Sequence, residues 1–387
     1  MTCRKSGFRK NRRRQDKQRG VKVMVLRVDN LIYVYMALCA CLLLFNLAYT
    51  GRRRLGDIRN PSKTRWWNAY LIKMIAEEAM TETQMKRLTK RISRVSGLQV
   101  FQETVEKLIA EGGQTRTRSW IQSIHPIFVK IGSRYLKKGV MEKAYYAYVI
   151  WQNRLCGETE QDAVVRYMLQ LTGEHSIYCR ENALQAIYSA SSSEVVVKAF
   201  KMMQRHQIEH SQKLVTDGLA AFQGNKEELA AALWREWDKF SPYYQTAFIN
   251  FMRLSVDCFG ERLLNLFKIP ETDREVKFAV IRYLRRHKCE DAAPVLQKLV
   301  REWEVEDWEF PALAASALEN YPSEETVQAL YEGMHSTYWY VRSNASDSLI
   351  RIAGKHNVLD EVLLKNDRYA IDMLRYKQEQ WKGEMSG

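Results

Sequence analysis

"STYWYVRSNASDSLIRIA", residues 336–353, sets an aromatic cluster ahead of Val341, Arg342, Ala345 and Leu349. Val341, Ala345 and Leu349 are spaced by about one α-helical turn, which gives a helix face that is apolar with a small residue at its centre. The same spacing recurs upstream as Phe310, Ala314, Leu318; as Tyr243, Ala247, Phe251; as Leu214, Gly218, Phe222; and as Cys179, Ala183, Ile187. A further instance, Glu275, Ala279, Tyr283, has a charge at its first place with Val276 beside it. The small residues are separated by 35, 29, 32, 35 and 31 positions, so the opening stretch is one unit of a repeat. Lys143, Ala147 and Trp151 offer one more unit.

After each triplet comes a second amphipathic run: "SEVVVKAFKMM" at 193, "KEELAAALWREW" at 226, "ERLLNLF" at 261, "EDAAPVLQKLV" at 290, "SEETVQALYEGM" at 323 and "VLDEVLL" at 358. Most open with Glu or Asp, often after Ser or Asn, the residues that satisfy free N–H groups and suit the positive end of a helix dipole. Each unit therefore reads as a helical hairpin. One hairpin cannot bury its apolar stripe alone, so the hairpins must stack, and the central small residue lets successive helices approach closely. The expected fold is all-α, an α-solenoid of about six or seven hairpins.

"YVRSNASDSLIRIAG" (340–354) and "YCRENALQAIYSA" (178–190) resemble HEAT repeats, whose first helix carries a V-R-x-x-A-x-x-x-L core. The resemblance covers roughly residues 140–365 and departs from the pattern at Gly218 and Glu275. It implies an interaction scaffold with no chemistry of its own. Within the same family, the bilin lyase-like group acts on tetrapyrroles and a DNA-glycosylase group reads DNA on a basic concave face, which supplies the competing enzymatic reading.

The net charge of +15 invites a nucleic-acid reading until it is located. Residues 1–65 hold 17 Lys and Arg against Asp16, Asp29 and Asp57, whereas residues 66–387 are near neutral. A phosphate-binding groove would place its cations within the folded repeats, so no nucleic-acid partner is expected. Inside the basic end, "LIYVYMALCACLLLFNLAYT" (31–50) carries no charge, and 20 residues of helix span about 30 Å, the thickness of the hydrocarbon core. Tyr33, Tyr35 and Tyr49 lie near its ends, at headgroup level, and "GRRR" closes it. A single transmembrane helix is expected. A signal peptide would need a shorter core and a small-residue cleavage site, and a lipoprotein box at "LCAC" would be followed by polar sequence rather than "LLLFNLAY".

Both flanks of this segment are basic, so the positive-inside rule leaves orientation open; a start at Met24 would leave only Arg27 before the helix and place the repeats in the cytoplasm. The seven cysteines are odd in number, lack C-x-x-C spacing and sit singly in apolar contexts, as small buried hydrophobes in a reducing compartment do. The expected location is the cell membrane, single-pass, with cytoplasmic repeats. Arg52, Arg53 and Arg54 would then meet anionic lipid headgroups, each contributing on the order of 1 kcal/mol. The organisation that follows is a basic tail (1–30), the transmembrane helix (31–50), a basic linker (51–63), a helical cap (64–138), the repeats (139–365) and a C-terminal cap and tail (366–387). Within the cap, helical periodicity breaks at "MTET" and "EGGQTRT", and a last helix is expected to open at Asn366 and Asp367.

Residues that could carry chemistry are few. His206 and His210 in "HQIEH" have helical metal-ligand spacing but no third ligand, and are expected to face solvent; no P-loop, dinucleotide-binding glycine pattern or G-x-S-x-G occurs. The serines of "YSASSSE" (188–194) fall in an inter-helix turn, where serine caps helices. The run "REWEVEDWEF" (301–310) is read as a solvated surface rather than a paired-carboxylate site. No catalytic residue, metal, cofactor or small-molecule substrate is expected. The candidate contacts for a protein partner, itself membrane-associated, are Trp303, Trp308, Tyr338 and Trp339, with Tyr340 beside them: large aromatics in loops or helix starts that fill gaps between hairpins or, where exposed, form an aromatic and acidic patch for a basic or amphipathic segment.

Overall fold

The computed structural model describes residues 33, 35–46, 61–77, 80–302, 307–353 and 368–385, and every regular element among them is helical. The chain divides into two compact units, Met1–Tyr70 and Leu71–Gly387. In the first unit residues 35–46 form helix α1, with Tyr35, Leu42, Leu43, Leu44 and Phe45 all more than half exposed. Among the described residues no helix is long and apolar enough to cross a membrane; the apolar segment 31–50 lies partly outside them. Helix α2 spans Pro61–Ala76, and its Trp66 and Tyr70 rings stack at 5.2 Å.

The second unit begins with α3 (Glu82–Ile92), α4 (Val95–Ala110), α5 (Gln114–Ser123) and α6 (His125–Tyr135). Thr81 and Gln84 form a reciprocal capping box that fixes the start of α3. The periodicity of residues 119–139 suggests one helix, but the chain breaks at Ile124, which closes α5 and opens α6; Pro126 in the first turn of α6 lacks the N–H that a continuous helix would need there.

The hairpins follow: α7 (Val140–Gln152) with α8 (Ala163–Thr172), α9 (Ile177–Ala190) with α10 (Ser193–Arg205), α11 (Gln212–Ala220) with α12 (Lys226–Arg235), α13 (Pro242–Ser255) with α14 (Gly260–Lys268), α15 (Arg274–Arg286) with α16 (Ala292–Arg301), and α17 (Glu309–Ala317) with α18 (Glu324–Gly333). Helix α19 (Trp339–Ala353) opens the last unit, and α20 (Arg368–Met385) packs on it through Lys377–Asp347 at 3.0 Å. The run at 358–364 and the helix-opening pair Asn366 and Asp367 lie outside the described residues.

First helices stack on first helices, from α7 through α19 in steps of one hairpin. Ala147, Ala183, Ala247, Ala279, Ala314 and Ala345 are all fully buried on this row, and Gly218 is buried with them. Gly218 departs from alanine for a local reason: a Cβ there would stand 2.3 Å from Cε2 of the buried Tyr188 ring on α9. Asn225 and Ser323 cap α12 and α18 as the sequence suggests, and Asp162 and Asp273 do the same for α8 and α15. By contrast Glu290 and Asp291 precede the first turn of α16, and the Ser192 hydroxyl makes no capping bond to α10.

The arginine of the V-R-x-x-A core has a structural task. Arg180 Nη1 donates to the carbonyls of Glu174 at 2.9 Å and His175 at 2.7 Å; Arg342 Nη1 donates to that of Ser336 at 2.7 Å. Each guanidinium folds back and fastens the loop that feeds its own helix. The asparagine two places on reaches the previous unit: Asn182 Nδ2 donates to Ala144 O at 2.9 Å and Asn344 Nδ2 to Ala312 O at 2.8 Å.

Candidate partner-binding surface

The aromatic cluster is assembled by these fastenings. Val341, Ala345 and Leu349 are buried on the inner face of α19, so residues at its start turn outward. Arg342 holds the entry loop, Tyr338 N donates to Ser336 Oγ at 3.2 Å, and Asn344 ties α19 to α17. Side by side, the two helix starts bring Trp308, the residue before α17, nearly parallel to Tyr338 (6.0 Å, 13°) and to Tyr340 (5.2 Å, 17°). Trp339 meets Tyr340 edge-on at 5.1 Å. Trp339 is 50% and Tyr340 56% exposed, while Trp308 and Tyr338 are half-buried.

The described carboxylates beside this cluster are not free. Arg274 of α15 lies 2.6 Å from Glu309 and 3.3 Å from Asp307, and its guanidinium rests over the Phe278 and Phe310 rings. Among the described residues one guanidinium therefore serves both carboxylates and offsets one of their two charges, which leaves the margin of the aromatic patch acidic by one charge. Arg274 escapes notice in the sequence because it sits a whole repeat away; its separation from Glu309 by about one repeat period is the signal that could have found it. Trp303 and the basic flank Arg52, Arg53 and Arg54 lie outside the described residues.

The other polar features are structural. His206 is exposed, but His210 is buried, contrary to the expectation of two solvent-facing histidines. The reason is that α10 ends at Arg205 and Gln207 takes φ 54°, so "HQIEH" is a turn and not a helix face. His210 Nε2 lies 2.8 Å from Glu181 Oε2. Burial works to raise the Glu181 carboxyl, yet the hydrogen bonds of His210 and Gln185 outweigh it and hold the group below its usual value. Cys156 and Cys179 are buried, whereas Cys258 is exposed, at the turn between α13 and α14 rather than in the core. A groove of about 340 Å³ runs between α10 and α12; in it Glu236 pairs with Lys201 and Lys239, whose hydrogen bonds bring its carboxyl down to about 2. Among the described residues no three His, Cys, Asp or Glu side chains gather as a metal site would require.

Residues 261–362, from α14 through α19, match the sequence model of the family described as HEAT repeats. Searches of the curated proteins and of the solved structures found no match.

Proposed function

We propose that this chain, a HEAT-repeat protein, is a membrane-anchored scaffold that binds a protein partner at the membrane surface through the aromatic cluster at the starts of α17 and α19, without chemistry of its own. The observation that carries the reading is the exposure of Trp339 and Tyr340 on helix starts that the buried face of α19 does not use. Large aromatics presented on a rigid backbone supply contact area at low entropic cost, which is why they dominate protein interfaces. The carboxylates at the margin, only half offset by Arg274, suit an amphipathic segment with a basic edge, whose apolar side would lie on the rings. HEAT arrays are in general interaction scaffolds, and the match of residues 261–362 to that family supports the same reading here.

The anchor rests on the uncharged segment 31–50 and on the exposed apolar side chains of α1, which lipid would cover. Tethering would raise the local concentration of the repeats for a membrane partner, with Arg52, Arg53 and Arg54 on anionic headgroups and the repeats in the cytoplasm. Helices α3–α6 would cap the array at one end and α20 at the other.

The test combines a photo-crosslinking residue at position 339 with carbonate extraction of the membranes. The reading predicts that the chain stays in the membrane pellet and forms a discrete adduct that Tyr340→Ala abolishes, with expression and thermal melting unchanged. An adduct unaffected by Tyr340→Ala would refute the aromatic surface, and release by carbonate would refute the anchor.

A further inference from the structure

Between α13 and α15 lies a group of cations that nothing in the proposed function uses. Arg253 stands near the end of α13, and Arg282 and Arg286 stand one turn apart on the second half of α15. Among the described residues none of the three guanidiniums makes a hydrogen bond or ion pair, and Nε of Arg253 is buried without an acceptor. This contrasts with the surface around them. Arg274 is paired with Asp307 and Glu309, Arg285 and Arg351 share Glu319, and Lys288 pairs with Glu290.

The trio is also held in place. His287 Nε2 lies 2.8 Å from Arg253 O, and the Tyr283 hydroxyl donates to Val256 O at 3.0 Å, so the ends of α13 and α15 are fastened on both sides of the cluster. The charges act on one another: burial first, then the repulsion of Arg286 and Arg282, brings the Arg253 guanidinium below its ordinary value. A helix C-terminus does favour a cation, but that accounts for one arginine per helix end and not for three that repel.

We propose that Arg253, Arg282 and Arg286 form a binding site for a phosphomonoester on a protein segment, a second partner contact separate from the aromatic cluster. Planar guanidinium forks match the oxygens of a phosphate, and a dianion would relieve the repulsion among three cations. A nucleic acid or a membrane calls for an extended positive face, whereas this positive spot is bordered by ion pairs. Leu254, 38% exposed beside Arg253, offers an apolar contact to residues flanking the phosphate.

The test uses the full chain in detergent micelles, with a fluorescein-labelled, leucine-flanked phosphoserine peptide as the probe and anisotropy as the readout. Arg282 and Arg286 are exposed, so the double variant Arg282→Gln, Arg286→Gln should fold normally, checked by its melting curve. The site predicts saturable binding of the phosphopeptide, at least tenfold weaker for the unphosphorylated peptide and for the double variant, and weakened by added salt. Inorganic phosphate should compete only at far higher concentration than the peptide. Equal binding by the double variant overturns the proposal, as does binding independent of phosphorylation. Variant-sensitive binding to phosphatidic acid vesicles with none to the peptide overturns it in favour of a lipid headgroup site. Phosphate competing as well as the peptide overturns the protein-segment assignment.

Discussion

Replacing Tyr283 by phenylalanine removes one oxygen atom and should loosen a whole hairpin. The Tyr283 hydroxyl donates to Val256 O at 3.0 Å and accepts from Phe259 N at 3.1 Å. Val256 closes α13 and Phe259 precedes α14, so the phenol on α15 clasps the turn of the preceding hairpin and satisfies one orphan carbonyl and one orphan N–H together. Tyr321 repeats the device one unit on, donating to Leu284 O at 2.7 Å and accepting from Cys289 N at 3.2 Å. Tyr283 is fully buried, and Val256 and Phe259 are each 3% exposed, so water has little access to the groups left behind. An unpartnered buried backbone group costs about 1–3 kcal/mol, and two such groups with some local adjustment give about 2–4 kcal/mol. The phenyl ring keeps its packing, so no cavity term is added.

Because a repeat array is approximately a sum of local and nearest-neighbour terms, the loss should concentrate at the α13–α14 turn. Hydrogen exchange read by mass spectrometry separates this from a global effect. Peptides covering 256–262 should exchange about thirtyfold faster or more, since about 1.4 kcal/mol corresponds to a factor of ten, while peptides covering 183–187 stay unchanged. Unchanged exchange at Phe259 in a folded Tyr283→Phe chain would refute the clasp, and uniform acceleration along the array would refute its local character.

Alkali supplies an independent check, because burial pushes the Tyr244 and Tyr283 phenols up to about 12. The unfolded chain releases these protons near pH 10, so stability should fall between about pH 10 and 12, by about 2–3 kcal/mol per tyrosine, and Tyr283→Phe should flatten that fall in urea titrations. Gly218→Ala, although it restores the residue found in the other units, should destabilise by about 1–3 kcal/mol because its Cβ meets the Tyr188 ring; adding Tyr188→Leu should recover part of the loss, and additive effects in the denaturation midpoint would show that the contact is not the cause. Arg180→Ala should cost about 2–4 kcal/mol by freeing the carbonyls of Glu174 and His175, with Arg180→Lys restoring only part of it; full recovery by lysine would mean that charge rather than the fork matters.

What could be read from the chain follows from how far each cause reaches along it. The triplets around Ala183, Gly218, Ala247, Ala279, Ala314 and Ala345 state a local fact, one buried face per helix, and the period repeats it often enough to define the array. Helix ends depend on one or two residues and were less legible: Asn225 and Ser323 cap as expected, Ser192 does not, and the φ of Gln207 turns a helical histidine spacing into a buried His210. Contacts between units were silent. Tyr283 reads as one more apolar member of its triplet, yet its hydroxyl serves two backbone atoms of the preceding hairpin. Arg274 reads as a helix-start cation, yet it bridges Asp307 and Glu309 beside the aromatic cluster. The candidate surface lies between these cases, since Trp308, Tyr338 and Trp339 stand out by type and position, but only the alignment of two helix starts stacks Trp308 on Tyr338 and links Trp339 to them through Tyr340. In a stack of hairpins the period specifies which helices meet, and the side chains that cross from one unit to the next decide which of their outer residues remain open to a partner.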